Sequence, residues 1–128
     1  MQAELRKAWR ALKTAKVNCE VGDGAASVNR SYYAMYYAAK AMLLSVDADI
    51  PKTHSALIGE FSRRFVVDGP LVKQLGRNFN KIEEQRRYVD YIADEDIPLD
   101  TALDILNKAT EFVQGIAGHL NIHPDPLE

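Results

Sequence analysis

Cysteine is almost missing from this chain: Cys19 stands alone among 128 residues, so no intramolecular disulfide is possible and a reducing, cytoplasmic compartment is expected. Long apolar runs are also missing. The most apolar stretch, Ala34 to Ser45, is interrupted by Lys40 and is shorter than the roughly 20 residues a membrane-spanning helix requires, so no membrane association is expected. Met1, Gln2, Ala3 and Glu4 reach a charge before any hydrophobic segment, which predicts no secretory signal. Apolar–polar alternation in a β-branched context, the mark of a strand, is absent throughout. Gly-rich phosphate loops, serine-nucleophile motifs and paired CxxC signatures are absent too, which excludes the commonest nucleotide, acyl-transfer and zinc-ribbon chemistries. His119 and His123 have the spacing of a metal-binding pair, but Pro124 breaks the helix beside them and no third ligand is close in sequence. No metal and no cofactor is expected.

What is present fits a single globular domain over residues 1–128, with 47% hydrophobic and 27% charged residues. The net charge of −2 hides a division. Residues 1–89 carry 15 Lys and Arg against 9 Asp and Glu, whereas residues 90–128 carry Lys108 as their one cation against 9 acids. This asymmetry predicts either an anion-binding face on the first part or pairing of the last helix with its neighbours.

Helical periodicity runs through the whole chain. Leu5, Ala8, Trp9, Leu12, Ala15 and Cys19 line one face of a first helix, which Gly22, Asp23 and Gly24 end, both glycines being expected at positive φ. A second helix is predicted from about Ala25 to Ser45. After a loop from Val46 to Lys52, Thr53 caps a third, His54 to about Val67, with Leu57, Ile58, Phe61 and Phe65 inward. Leu71, Leu75, Phe79, Ile82 and Val89 mark a fourth, running to about Ala93. Asp94, Glu95 and Asp96 connect it to a fifth, with Pro98 in its first turn and Ala102, Leu106, Ala109, Val113, Ile116 and Leu120 inward. The fold class predicted is all-α, a single-domain antiparallel up-and-down bundle of about five helices.

Two segments carry chemistry. In the second helix four of the six tyrosines fall within six positions, and at 100° per residue Arg30, Tyr33, Tyr37, Lys40 and Leu44 share a face. Such a stripe is either a packing face, toward the core or a second copy, or a ligand groove. In the fourth helix the apolar series Leu75, Phe79, Ile82, Val89 skips a hydrophobe and places Arg86 toward the core. A guanidinium cannot shed its charge, so a carboxylate must accompany it, and Glu83 and Asp90, each about one turn away, are the candidates. Tyr91 lies similarly beside Arg87. His54, at a helix start, is either a capping residue or an anion ligand and acid–base group. Cys19, on an apolar face, reads as a small core residue.

Three ordered segments carry a resemblance: Asn29-Arg-Ser-Tyr-Tyr-Ala-Met-Tyr-Tyr-Ala-Ala-Lys-Ala-Met-Leu, then His54-Ser-Ala-Leu-Ile-Gly-Glu-Phe, then Arg86-Arg-Tyr-Val-Asp-Tyr. Together they resemble the HEPN domain family, specifically its small stand-alone prokaryotic members, over about Val21 to Ile92. The resemblance implies an antiparallel helical bundle that often dimerises and a role in RNA cleavage, nucleotide binding or toxin–antitoxin biology, commonly beside a minimal nucleotidyltransferase. Nuclease members use Arg-x4-6-His. None of the three histidines here has an arginine five to seven positions before it, and Asp90 stands near where that histidine would fall. An ionised aspartate cannot replace a histidine as general acid. The leading expectation is therefore a dimeric nucleotide- or RNA-binding module partnered by a nucleotidyltransferase, with Arg30, Tyr33, Tyr37, Arg86, Asp90 and Tyr91 shaping its ligand site. The alternative is an atypical metal-independent ribonuclease in which Arg86 stabilises phosphate charge and His54 moves the proton.

Overall fold

The structure, a computed structural model, describes residues 1–67, 69–91 and 97–123, with the side chains of residues 90 and 91 outside that description. Among the described residues there are five α-helices and no strand: α1 (Gln2–Glu20), α2 (Gly24–Ser45), α3 (His54–Ser62), α4 (Lys73–Tyr91) and α5 (Leu99–Leu120), with a π-helical turn, Arg63–Val67, continuing α3. The all-α bundle is as the periodicity predicts. No helix among the described residues is long and apolar enough to cross a membrane.

The helix ends follow local chemistry. Gly22 takes a φ of +81°, a conformation in which a side chain would be strained, and so ends α1. Asp23 then caps α2 by accepting from the Ala26 amide at 3.0 Å. Gly24 departs from the expected second positive φ: it opens α2, and its lack of a side chain serves packing. A Cβ there would lie 2.4 Å from the Ile97 carbonyl oxygen, so the segment entering α5 rests directly on the α2 backbone. Thr53 caps α3 as expected, accepting from Ala56 at 3.1 Å. Pro98 sits one residue earlier than predicted, at the N-cap of α5. The Asp94, Glu95 and Asp96 connector lies outside the described residues.

The third helix is not regular to Val67. Its last turn widens to π geometry, which lets the successive residues Phe65 and Val66 both reach the interior instead of being rotated apart. Val66 then meets Gly76 of α4.

The core has two textures. On α1 and α2, Ala8, Ala11, Ala15, Ala34, Ala38 and Ala41 are buried, small residues that permit close helix approach. Toward α3, α4 and α5 it is aromatic: Phe79 lies 5.8 Å from Phe61 and 4.9 Å from Phe112 between ring centroids. Cys19 is buried as predicted and meets the Ser27 hydroxyl at 3.0 Å. Lys108 pairs with Asp104 inside α5, so this cation of the acidic segment does not reach across to another helix.

Candidate functional site

Val28, Tyr32, Met35 and Ala39 form the buried stripe of α2, at the spacing a core-facing helix requires. One of the four is a phenol. Tyr32 is fully buried, and a buried hydroxyl needs a partner. One partner is His54, the first residue of α3, with Tyr32 Oη 2.9 Å from His54 Nδ1, and another is the Glu83 carboxylate. The imidazole is half-buried and fixed by neighbours: its centroid lies 4.6 Å from the Tyr36 ring and 5.7 Å, edge to face, from Tyr33.

The third side of Tyr32 belongs to α4. Arg86 lies with its guanidinium carbon 4.6 Å from the Tyr32 ring centroid, a cation–π contact worth about 1–2 kcal/mol in such a desolvated place. Glu83, one turn earlier and also buried, meets Arg86 Nε at 3.2 Å and takes Arg87 Nε at 3.2 Å on its other oxygen. The buried carboxylate is what permits a guanidinium at this depth. Burial, and after it the Glu83 charge, push the Tyr32 phenol well above the ordinary range, so it persists as a neutral hydroxyl. Burial, with Tyr33 and Glu4 as lesser causes, raises the Tyr36 phenol too.

The predicted stripe of α2 is a rim, not the core. Arg30, Tyr33, Tyr37 and Lys40 are all half-buried. Arg30 lies 5.0 Å from the Tyr33 ring centroid and so joins the cluster at one edge. Tyr37 lies further along, 5.7 Å from the Lys7 ammonium of α1. Lys7 and Lys40 in turn reach Glu4 Oε1 at 3.3 and 3.9 Å, while Glu4 Oε2 is buried with no hydrogen-bond partner among the described residues. The side chains of Asp90 and Tyr91, two predicted ligand residues, lie outside the described residues.

Of the predicted site residues, then, the structure gathers His54, Arg86, Tyr33 and, at the edges, Arg30 and Tyr37, whose ring lies 6.1 Å from that of Tyr33. Tyr32, Tyr36 and Glu4 were not foreseen as site residues, and Glu83 was foreseen as a companion of Arg86. Tyr32 had a signal, namely a phenol inside the stripe Val28, Met35, Ala39. Glu4 had none, because its burial comes from α2 folding over it. No group of three or more His, Cys, Asp or Glu among the described residues could hold a metal ion.

These features define a class: an α-helical bundle whose central helix carries a buried tyrosine, clasped by a histidine from one helix and an arginine–glutamate pair from another. The chain belongs to the HEPN domain family, whose model matches residues 1–118. It is 32% identical over 111 residues to a UPF0332 protein of Thermotoga maritima, covering 87% of this chain and 83% of that one. It is 33% identical to a UPF0332 protein of Archaeoglobus fulgidus, covering 94% and 95%. A Methanocaldococcus jannaschii protein named as a candidate toxin is 32% identical, covering 85% of this chain and 74% of its own.

Proposed function

We propose that the chain, as one domain over residues 1–128, is a toxin-type HEPN module that binds the phosphates of RNA or a nucleotide at the Tyr32–His54–Arg86 cluster. It works as a cytoplasmic homodimer beside a nucleotidyltransferase partner. The carrying observation is that His54 and Arg86, from different helices, converge on the same buried ring. Arginine offers a fixed fork of donors suited to phosphate, and imidazole adds another nitrogen. Arg30, Tyr33 and Tyr36 supply a second cation and ring faces on which a base can stack. The candidate-toxin names of relatives support the toxin-type role.

The test is fluorescence anisotropy with a labelled single-stranded RNA at several salt concentrations, alongside the solution mass. Wild-type protein binds with an affinity that falls as salt rises. Arg86→Ala weakens binding by about tenfold or more, as expected for losing a charged hydrogen bond to phosphate. A folded wild type that binds neither RNA nor nucleotide would sink the proposal.

A second reading, a ribonuclease active without added metal, is favoured by the same juxtaposition. Although the Arg-x4-6-His spacing is absent from the sequence, an arginine and a histidine still meet around one tyrosine. Cleavage of RNA in the presence of chelator, lost in both Arg86→Ala and His54→Ala, would select it.

A further inference from the structure

α3 and α4 come together at both ends. At one end His54, the first residue of α3, and Arg86 of α4 meet at Tyr32. At the other, the π-helical turn that finishes α3 faces the start of α4 across a groove of about 300 Å³, lined by Ser62, Val66, Lys73, Arg77 and Asn80. Gly76 lets the two walls close at the base, since a Cβ there would lie 2.9 Å from Val66 Cγ1. The charge at this end is one-sided. Lys73 and Arg77 are exposed and make no ion pair among the described residues, while Arg63 and Arg64 of the turn share the Glu60 carboxylate. Along α4, Lys73, Arg77, Asn80, Glu84 and Arg87 follow the spacing of one helical face, so the groove continues toward Arg87, which Glu83 ties to Arg86. Glu84 is the acid that interrupts this face.

We infer that this groove is a second phosphate-binding site, in which Lys73 and Arg77 hold the backbone of a single RNA strand whose other part lies at the Tyr32–His54–Arg86 cluster. The inference rests on the phosphate reading of that cluster and narrows its ligand from a nucleotide or RNA to a strand. Helical rise sets Arg77 about 14 Å and Lys73 about 20 Å along α4 from Arg86. A stacked strand advances about 3.4 Å per nucleotide, so phosphates at Arg86 and Arg77 are roughly four nucleotides apart, a span no mononucleotide covers. Exposed, unpaired cations suit a backbone whose bound counterions they displace. Ser62 offers a hydroxyl beside them, and Asn80 an amide with one proton already on the Gly76 carbonyl at 3.0 Å. An acidic peptide would meet the same cations. The ring faces of Tyr33 and Tyr36 at the far end favour a ligand that carries bases as well as charge.

The test measures binding of the full chain to labelled single-stranded RNAs from about two to about twelve nucleotides, at several salt concentrations. In wild-type protein the affinity should step up once the strand is long enough to reach the groove. In the double variant Lys73→Ala, Arg77→Ala the step should vanish, the longest RNA should bind about tenfold more weakly, and the slope of log affinity against log salt should fall by about 1.4, or 0.7 per lost phosphate contact. Glu84→Gln should strengthen binding of the long RNA and leave the shortest unchanged, a gain that misfolding cannot produce. A long RNA that binds wild type and double variant with equal affinity and salt slope overturns the inference, as does a dinucleotide that binds as tightly as the longest strand. A polyglutamate peptide that displaces the long RNA at equal concentration also overturns it, assigning the groove to an acidic protein partner. Arg86→Ala separates the two levels. Binding lost in Arg86→Ala but kept in the double variant upholds the cluster and removes the groove; the opposite pattern keeps the groove and removes the cluster reading. A wild type that binds no RNA of any length overturns both.

Discussion

α2 is built for two kinds of neighbour. The α1–α2 pair brings together buried alanines, whereas the contacts with α3 and α4 pass through Tyr32, His54, Arg86 and Glu83. Both regions are buried and each desolvates a carboxylate, Glu4 in the first and Glu83 in the second, but only the second stacks its charged pair on a buried phenol. A buried charge pair stacked on a phenol contributes less net stability than a hydrocarbon of the same volume.

The comparison can be broken at its extremes. Phe112→Ala empties the aromatic hub between α3, α4 and α5 and should cost about 4 kcal/mol in denaturant unfolding. Ala38→Leu forces a larger side chain into a fully buried position of α2 and should cost about 3 kcal/mol by the same measurement. A near-neutral result would mean that the alanine region is looser than its burial implies. Glu83→Gln keeps the shape but removes the carboxylate charge beside Arg86 and Arg87, an expected loss of about 2 kcal/mol. Thr53→Ala removes the α3 cap and should cost about 1 kcal/mol, with faster amide exchange at Ala56 as its local sign.

The finest distinction is alkaline. The native state holds the Tyr32 proton above the ordinary phenol range, near 10, and Tyr36 acts in the same direction. The unfolded chain therefore releases protons first as pH rises. Stability should be level with respect to these groups below about pH 10 and fall above it, and Tyr32→Phe should flatten part of that fall. Unfolding free energies measured from pH 8 to 11 in both proteins would show it. An equal slope in the two would mean that Tyr32 ionises as freely as an exposed tyrosine.

How much of the site was legible varies by residue. Arg86 was found because a cation interrupts an apolar series, a pattern that depends only on helical geometry. Its Glu83 partner lies within the same helix, so side-chain reach was enough to name it. His54 was named for its place at a helix start, but nothing in its own segment pointed to α2. Tyr33 and Tyr37 align with Arg30 and Lys40, and periodicity alone leaves that face as either packing or ligand groove. The structure instead puts that face at the rim and gives the centre to Tyr32.

The sequence by itself determined the elements, since apolar spacing, Gly22, Asp23 and Thr53 act through contacts a few residues away. It also determined the family, through three ordered segments later matched over residues 1–118. The tertiary structure alone decided which groups face one another. The bond between Tyr32 and His54 joins residues 22 positions apart, the contact of Gly24 with Ile97 joins α2 to the segment before α5, and the burial of Glu4 depends on α2 lying over α1. Periodicity fixes the face a side chain occupies on its own helix. Only the packing of whole helices, driven by burial summed over many residues, fixes what that face meets.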